Sequence, residues 1–174
     1  MATIRILLGI VWFAALGSGW SVDRDFVEHS VINRGVVVAI AQKEIGVREA
    51  KGNTGLRVNE YNAYVGLKNV AWCASFISWC FGQAGYSQPR TAWSPALFPA
   101  NRLVKDPLPG RVLGIYFPEL KRIAHCGIVE KVKNELVYSV EGNTNVNGSR
   151  EGDGVYRRIR HKRSIYKFSD WSSL

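Results

Sequence analysis

The stretch "NVAWCASFISWCFGQAG" (residues 69–85) decides the fold expected for this chain. From Cys73 onwards its apolar residues recur at intervals of three and four, which predicts an α-helix with one apolar face. Gly85 follows the last apolar position and is the expected end of that helix. A helix start stabilises a thiolate, because unpaired backbone N–H groups and the helix dipole favour an anion there. Cys73 is therefore a candidate nucleophile.

The rest of the chain has the patterning of an α+β domain. Residues 34–46 and 56–67 are predicted to be helices that end near a glycine. After a proline-rich loop at 86–110 the hydrophobic period changes to two, which indicates strands. The predicted strands are 111–117, 124–132, 135–143 and 154–161, with a tight turn at 133–135 and one further candidate strand at 165–168. This order predicts N-terminal helices packed on a central antiparallel sheet.

The N-terminus has the pattern of an export signal. Arg5 precedes an apolar run of 12 residues (6–17), and small residues follow at 17–19. A helix that crosses a membrane needs about 20 apolar residues. We therefore expect a signal peptide over residues 1–19, no stable membrane span, and an exported (periplasmic or secreted) single domain over residues 20–174. An uncleaved anchor and a buried first helix are the alternatives.

The three cysteines cannot all pair within one chain. Cys73 and Cys80 are seven residues apart in the predicted helix, a rise of about 10.5 Å, which is beyond disulfide reach. At least one thiol is then free in an oxidising compartment, which favours a functional thiol. Strand alternation turns Cys126 away from its neighbour His125, so Cys126 and Cys80 are expected to be core thiols.

Of the three histidines, one lies in an apolar strand and is a candidate general base. That residue is His125, whereas His29 and His161 lie in charged segments typical of a solvated surface. On the next predicted strand, Glu141 and Asn143 are spaced by two and share a face. Either can accept the imidazole N–H, although a strand end followed by a turn would also explain them.

A cysteine at a helix start, a histidine in a strand and a polar residue on the next strand together predict a papain-like hydrolytic arrangement. The sequence contains no CxxC, HExxH or GxGxxG, and its histidines are too scattered for metal-ligand spacing. No metal and no cofactor are therefore expected.

The segment "AWCASFISWCFGQAG" (71–85) closely resembles the nucleophile segment of CHAP domains, the cysteine, histidine-dependent amidohydrolases/peptidases, which belong with NlpC/P60 enzymes in a papain-like superfamily. The resemblance extends from residues 41–49 through 52–67 to 138–145. It implies that Cys73 is the nucleophile, His125 the general base and Glu141 the orienting residue, with Asn143 matching the Glu-x-Asn pattern of the family.

Two positions depart from the family pattern. Arg111 stands where the family usually has Asp before the first strand, and Cys126 stands where Val or Ile is usual. Neither position changes the chemistry of the predicted site, although Arg111 is expected to affect the turn into the sheet.

The resemblance implies cleavage of amide bonds in peptidoglycan, either as an N-acetylmuramoyl-L-alanine amidase or as an endopeptidase on stem or cross-bridge peptides. The net charge of +9 also suits anionic cell-wall polymers as partners. We expect the chain to act as a monomer, and we expect the loop at 86–110 to select the bond.

Two other functions fit parts of the sequence. A catalytically silent peptidoglycan-binding module would use aromatic residues to line a groove, and the candidates for this are Trp72, Trp79, Tyr86 and Trp93. Binding of nucleic acid through "YRRIRHKR" (156–163) is the other, but a basic edge strand protected from aggregation explains that run better. No nucleic-acid partner is therefore expected.

Overall fold

The computed structural model describes residues 24–146 and 152–172, with side chains in the first helix described from residue 34 onwards. The α+β class is confirmed: three α-helices precede a six-stranded antiparallel sheet. The helices are α1 (Arg24–Lys43), α2 (Leu56–Tyr64) and α3 (Cys73–Gln83). The strands are β1 (Leu103–Val104), β2 (Val112–Phe117), β3 (Arg122–Lys133), β4 (Leu136–Thr144), β5 (Gly154–His161) and β6 (Lys167–Ser169). The expected signal peptide lies outside the described residues.

The sheet has the order β1-β6-β2-β3-β4-β5, so β5 lies at one edge and β3 and β4 are inner strands. All of the strand pairs are antiparallel. The tight turn predicted at 133–135 joins β3 to β4, with Asn134 in the left-handed region at φ 53°. Within the described ranges no helix is both long and apolar enough to cross a membrane.

Element boundaries differ from the prediction mainly in the helices and in the proline-rich segment. Helix α1 ends at Lys43, before Gly46, and α2 ends at Tyr64. The segment predicted to be a loop contains β1 and two 3₁₀-helices, Ser94–Leu97 and Ala100–Arg102. Such short elements leave no hydrophobic periodicity in the sequence, because each is barely one turn long.

Helix α3 is enclosed on all sides and is not the one-faced helix that its spacing predicts. Every residue from 73 to 81 is buried, because α1, α2, β3 and β4 all pack against the helix. Gly142 on β4 permits the close approach. A Cβ at this position would lie 2.7 Å from the Phe76 ring and 2.8 Å from Trp72. The start of α3 is thereby held against the strands that carry the candidate site.

The core has two layers, one on each face of the sheet. The larger layer lies between the helices and the sheet and includes Phe76, Cys126 and Val140. The smaller layer lies on the opposite face and includes Val129 and Val137. Cys126 therefore faces the helices, and it is a core thiol as expected.

Arg111, which departs from the family pattern, forms part of the entry into the sheet. Its Nε donates to Asp170 Oδ2 at 3.0 Å and its Nη1 donates to the Asp106 carbonyl oxygen at 2.7 Å. The bond to Asp170 ties the turn before β2 to a segment distant in sequence, and the bond to Asp106 closes the turn locally. Arg111 thus stabilises the turn.

Candidate active site

Cys73 is the first residue of α3, as the sequence predicts. The backbone N–H groups of a first helical turn have no partner within the helix, so they point outward at this end. The Cys73 side chain is buried, with 5% of the residue exposed. Its Sγ lies 3.4 Å from the Ser94 Oγ of the first 3₁₀-helix. The thiol therefore sits at the positive end of a helix dipole, beside a hydroxyl group.

His125 lies on β3 next to this thiol, and its side chain is 12% exposed. The Nε2 atom is 2.7 Å from Glu141 Oε2. An ionised carboxylate only accepts hydrogen bonds, so Nε2–H is the donor of this bond. The other ring nitrogen is left for Cys73, with which the imidazole also interacts.

Glu141 is the fully buried carboxylate that holds His125. Its oxygens accept hydrogen bonds from three neighbouring side chains, those of His125, Arg160 and Ser139. Arg160 donates from Nε to Oε1 at 2.7 Å and from Nη2 to Oε2 at 2.6 Å. The Ser139 hydroxyl donates to Oε1 at 2.6 Å. Gly127 on β3 leaves room for this side chain, because a Cβ there would lie 2.5 Å from Glu141 Cγ. Burial alone would raise the pKa of Glu141, but Arg160 and His125 hold it below its usual range.

The pKa shifts of Cys73 and His125 favour an ion pair between the two side chains. A hydrogen bond from Cys126 lowers the pKa of Cys73 despite its burial, and the hydrogen bond and charge of His125 lower it further. Burial opposes protonation of His125, but its bonds to Cys73 and Glu141 outweigh this and raise the pKa to about 9. The two shifts together favour the thiolate of Cys73 and the imidazolium of His125.

Cys126 has a closer relation to the site than the sequence predicts. It is buried in the core as expected, but it also forms a hydrogen bond with Cys73 and lies 4.0 Å from Ser94 Oγ. Burial and the neighbouring Cys73 raise the pKa of Cys126. It thus remains a thiol and donates its S–H to the thiolate. All three cysteines are free.

Asn143 lines the cleft beside Cys73, but the contact to His125 is made by Glu141. The register between β4 and β5 shifts after Glu141, and Asn143 takes a left-handed conformation at φ 52°. The regular alternation that would put both side chains on one face therefore does not hold over 141–143. A role for Asn143 in catalysis stays a prediction.

The site opens into a cleft of about 430 Å³. Its walls come from the loops before α2 and α3, from the segment between β2 and β3, from the start of β3, from the end of β4 and from the second half of β5. They include Asn53, Ala71, Phe117, Glu119, Arg122, Ala124, Thr144, Asn145, Arg158 and Arg160. This volume is in the range of pockets that bind small ligands, about 300–1,000 Å³. No group of three or more His, Cys, Asp or Glu side chains is placed to hold a metal ion among the residues described.

Sequence reasoning missed two residues of the site, Ser94 and Arg160. Ser94 lies in the segment predicted to be a loop, and Arg160 lies in a basic run that was expected to be solvated. The signal for Arg160 was indirect. A glutamate at an inner-strand position such as 141 needs a buried cation, and the adjacent strand β5 supplies arginines at alternating positions.

The other aromatic and histidine candidates lie mainly outside the site. Trp72 and Trp79 are buried in the core, whereas Trp93 is 54% exposed and stacks on Arg122 at the cleft. His161 ends β5, and its Nδ1 accepts a hydrogen bond from Arg163 N at 3.3 Å. The side chain of His29 lies outside those described.

No family model, no curated protein and no solved structure matches this chain. What the site can do therefore follows from its own geometry. A thiolate at a helix start, an imidazolium beside it and a carboxylate behind the imidazolium are the groups needed for nucleophilic attack on a carbonyl carbon.

Proposed function

We propose that this chain is a cysteine amidohydrolase or peptidase, of papain-like architecture, that cleaves amide bonds in bacterial cell-wall peptidoglycan. The single observation that carries the proposal is the hydrogen-bonded series at the cleft, in which Glu141 holds His125 at 2.7 Å and His125 interacts with Cys73. The resemblance of residues 71–85 to CHAP domains supports the substrate class, as do the signal-like start and the net charge of +9.

In the first half of the reaction, the Cys73 thiolate attacks the carbonyl carbon of the scissile amide. A C–S bond forms while the C=O π electrons move to the oxygen. The backbone N–H of Cys73, at the helix start, is the natural donor to this oxyanion. His125 then gives its proton to the amine nitrogen as the C–N bond breaks, which leaves a thioester on Cys73.

In the second half, neutral His125 takes a proton from water while the water oxygen attacks the thioester. Collapse of this intermediate releases the carboxylic acid and restores the Cys73 thiolate. The Glu141 carboxylate stabilises the imidazolium at both ends of the cycle, and it keeps the ring in the orientation that faces the thiol. Arg160 and Ser139 hold that carboxylate in turn.

The experiment that tests the proposal is digestion of purified peptidoglycan, with mass spectrometry of the released fragments. The matched variants are Cys73→Ala and Cys80→Ala, which remove buried thiols from the same helix. We expect release by the wild type and by Cys80→Ala but not by Cys73→Ala. Sugar-free stem peptides with intact glycan would identify an amidase, and shortened stems or opened cross-bridges an endopeptidase.

Three results would count against the proposal. Undiminished release by Cys73→Ala would remove the nucleophile from the mechanism. Absence of release from several wall types by a protein with a reactive Cys73 would indicate a different amide substrate. Tight binding to peptidoglycan without release, together with an unreactive Cys73, would indicate a silent binding module.

A further inference from the structure

The cleft beside Cys73 carries positive charge that the proposed hydrolysis does not use. Arg122 at the start of β3 and Arg158 on β5 both line it. Within the described part of the chain, neither guanidinium belongs to an ion pair. Among the described residues that line the cleft, the one carboxylate is that of Glu119, which is exposed. The two arginines are therefore available to a ligand.

Contacts with the protein hold both arginines while leaving donors unused. Arg158 Nη1 donates to the Asn145 carbonyl oxygen at 2.7 Å. Arg122 Nη1 donates to the Ile123 carbonyl oxygen at 3.1 Å, and its guanidinium lies 4.3 Å from the ring centre of Trp93. Each guanidinium has five N–H donors, so most of them remain for another acceptor. Both side chains are only partly exposed, which limits competition from water.

We propose that Arg122 and Arg158 bind a free carboxylate of the substrate close to the scissile amide, so that the enzyme selects peptides that carry this charge. This inference rests on the proposed function and adds a substrate class to it. The two arginines lie on β3 and β5, the strands on either side of β4. Both side chains line the same cleft as Cys73 and His125, so a carboxylate bound by them lies in the cleft that holds the reacting centre.

A carboxylate fits this site better than a neutral group. The planar fork of a guanidinium forms two parallel hydrogen bonds with a carboxylate, and these charge-assisted bonds are stronger than bonds to a neutral amide. An amidated substrate would place an NH₂ group, itself a donor, against arginine donors. The cleft therefore favours the free carboxylate over the amide for two reasons: the amide lacks the negative charge, and it has one acceptor oxygen fewer.

The first test compares two muropeptides that differ only in whether the stem glutamate carries a free or an amidated α-carboxyl group. We expect wild type to cleave the free form with a kcat/KM about 10- to 100-fold higher, the range for charge-assisted hydrogen bonds. Arg122→Gln and Arg158→Gln should each lower this ratio, and the double variant should bring it near one. The loss should fall on the free form alone.

Arg157→Gln is the matched control, because it removes the same charge from the next position of the same strand. Arg157 pairs with Glu130 outside the cleft, so this variant should keep the wild-type ratio. Equal rates for the two muropeptides in wild type, or an unchanged ratio in the double variant, would overturn the inference.

A second test needs no peptidoglycan activity. Iodoacetate carries a carboxylate and iodoacetamide does not, so the ratio of their rates of alkylation at Cys73 reports on the cleft charge. The double variant should lower this ratio several-fold while its iodoacetamide rate stays close to wild type, which also shows that it is folded. Arg157→Gln is the control and should leave the ratio unchanged. An unchanged ratio in the double variant would contradict the inference.

The two tests separate failure of the inference from failure of the proposed function. An iodoacetate preference that depends on the arginines, in a protein that cleaves no peptidoglycan, would reject the proposed substrate and support the carboxylate-binding site. Cleavage without any such preference would reject the carboxylate-binding site and support the proposed function.

Discussion

Helix α3 carries two buried thiols, and each lies near a buried glutamate that is paired with an arginine. At Cys80 the pair is Glu44 with Arg57, whose Nε and Nη2 donate to the carboxylate at 2.7 Å each. Burial and the charge of Glu44 raise the pKa of Cys80. Among the described residues, this region has a buried thiol, a carboxylate and an arginine but no histidine between the carboxylate and the thiol.

At Cys73 the corresponding pair is Glu141 with Arg160, and His125 lies between the carboxylate and the thiol. The same negative charge now stabilises an imidazolium, which lowers the pKa of the thiol instead of raising it. A buried carboxylate thus keeps a thiol protonated when it acts directly, and favours the thiolate when it acts through an imidazole. The interposed histidine is the difference that the following predictions test.

Removal of His125 should have the largest effect on turnover. Cys73, like Cys80, would then lie near a buried carboxylate with no imidazole between them. Without the imidazolium the pKa of Cys73 rises, and no group protonates the leaving amine. We expect His125→Ala to lower kcat on the order of 10⁶-fold, as loss of the histidine does in hydrolytic triads. His161→Ala, which removes a histidine at the end of β5, should leave turnover within about 2-fold, in line with the small effects of changes away from the site.

Neutralising the two glutamates should separate catalysis from stability. Glu141→Gln removes the charge that stabilises the His125 imidazolium and replaces one acceptor oxygen with an NH₂ donor, and we expect turnover to fall about 10⁴-fold, as when a triad carboxylate becomes an amide. It also leaves Arg160 without its partner, at a cost of about 3–5 kcal/mol. Glu44→Gln should cost less stability, because Arg57 is 39% exposed and keeps contact with water. Its turnover should be that of wild type.

Kinetic assays and urea unfolding on the same four proteins (wild type, Glu141→Gln, Glu44→Gln and the double variant) measure both effects. A loss of turnover in Glu44→Gln as large as that in Glu141→Gln would mean that fold stability, rather than the link to His125, explains the activity.

On the alkaline side, turnover should fall as His125 loses its proton. The folded-state pKa of about 9 is above the ordinary value, so the ring is protonated at neutral pH and loses its proton as the pH rises through 9. Since the imidazolium is the acid that protonates the leaving amine, kcat/KM should fall about 10-fold per pH unit beyond that point. A decline that begins near pH 6.5 instead would contradict the ion pair.

Loss of Cys126 should have the smallest effect on turnover. Cys126→Ala removes one hydrogen bond to the thiolate, so the pKa of Cys73 rises and kcat falls by about 10-fold or less. Removal of the buried sulfur also costs about 1–2 kcal/mol of stability. Cys80→Ala should match this loss of stability without any change in kcat, measured in parallel by thermal unfolding and peptidoglycan release.

The sequence was sufficient to predict the parts of the site that depend on local periodicity. Helical spacing placed Cys73 at the start of α3, and an apolar strand singled out His125. The spacing of Glu141 and Asn143 indicated a polar partner but could not choose between them, because the choice depends on a register shift near the end of β4.

The remaining parts of the site depend on contacts between distant segments, which periodicity does not report. Ser94 reaches Cys73 from a 3₁₀-helix, and Arg160 reaches Glu141 from the edge strand β5. Alternation predicted that Cys126 turns away from His125 and is a core thiol, and Cys126 is indeed buried. It could not show that both His125 and Cys126 interact with the Cys73 thiol at the start of α3. Charge in the basic run of β5 was likewise expected to be solvated, although two of its arginines line the cleft.

The most direct test of the central claim is the rate of Cys73 alkylation by iodoacetamide as a function of pH, with the modified cysteine identified by peptide mapping. An ordinary thiol would react about 100-fold more slowly at pH 6 than at pH 8, because its thiolate fraction falls in proportion. We predict that Cys73 reacts at nearly the same rate at both pH values, that His125→Ala restores the ordinary dependence, and that Cys80 stays unmodified in the folded protein. An ordinary thiol profile for Cys73 in wild type would contradict the thiolate–imidazolium pair and the mechanism built on it.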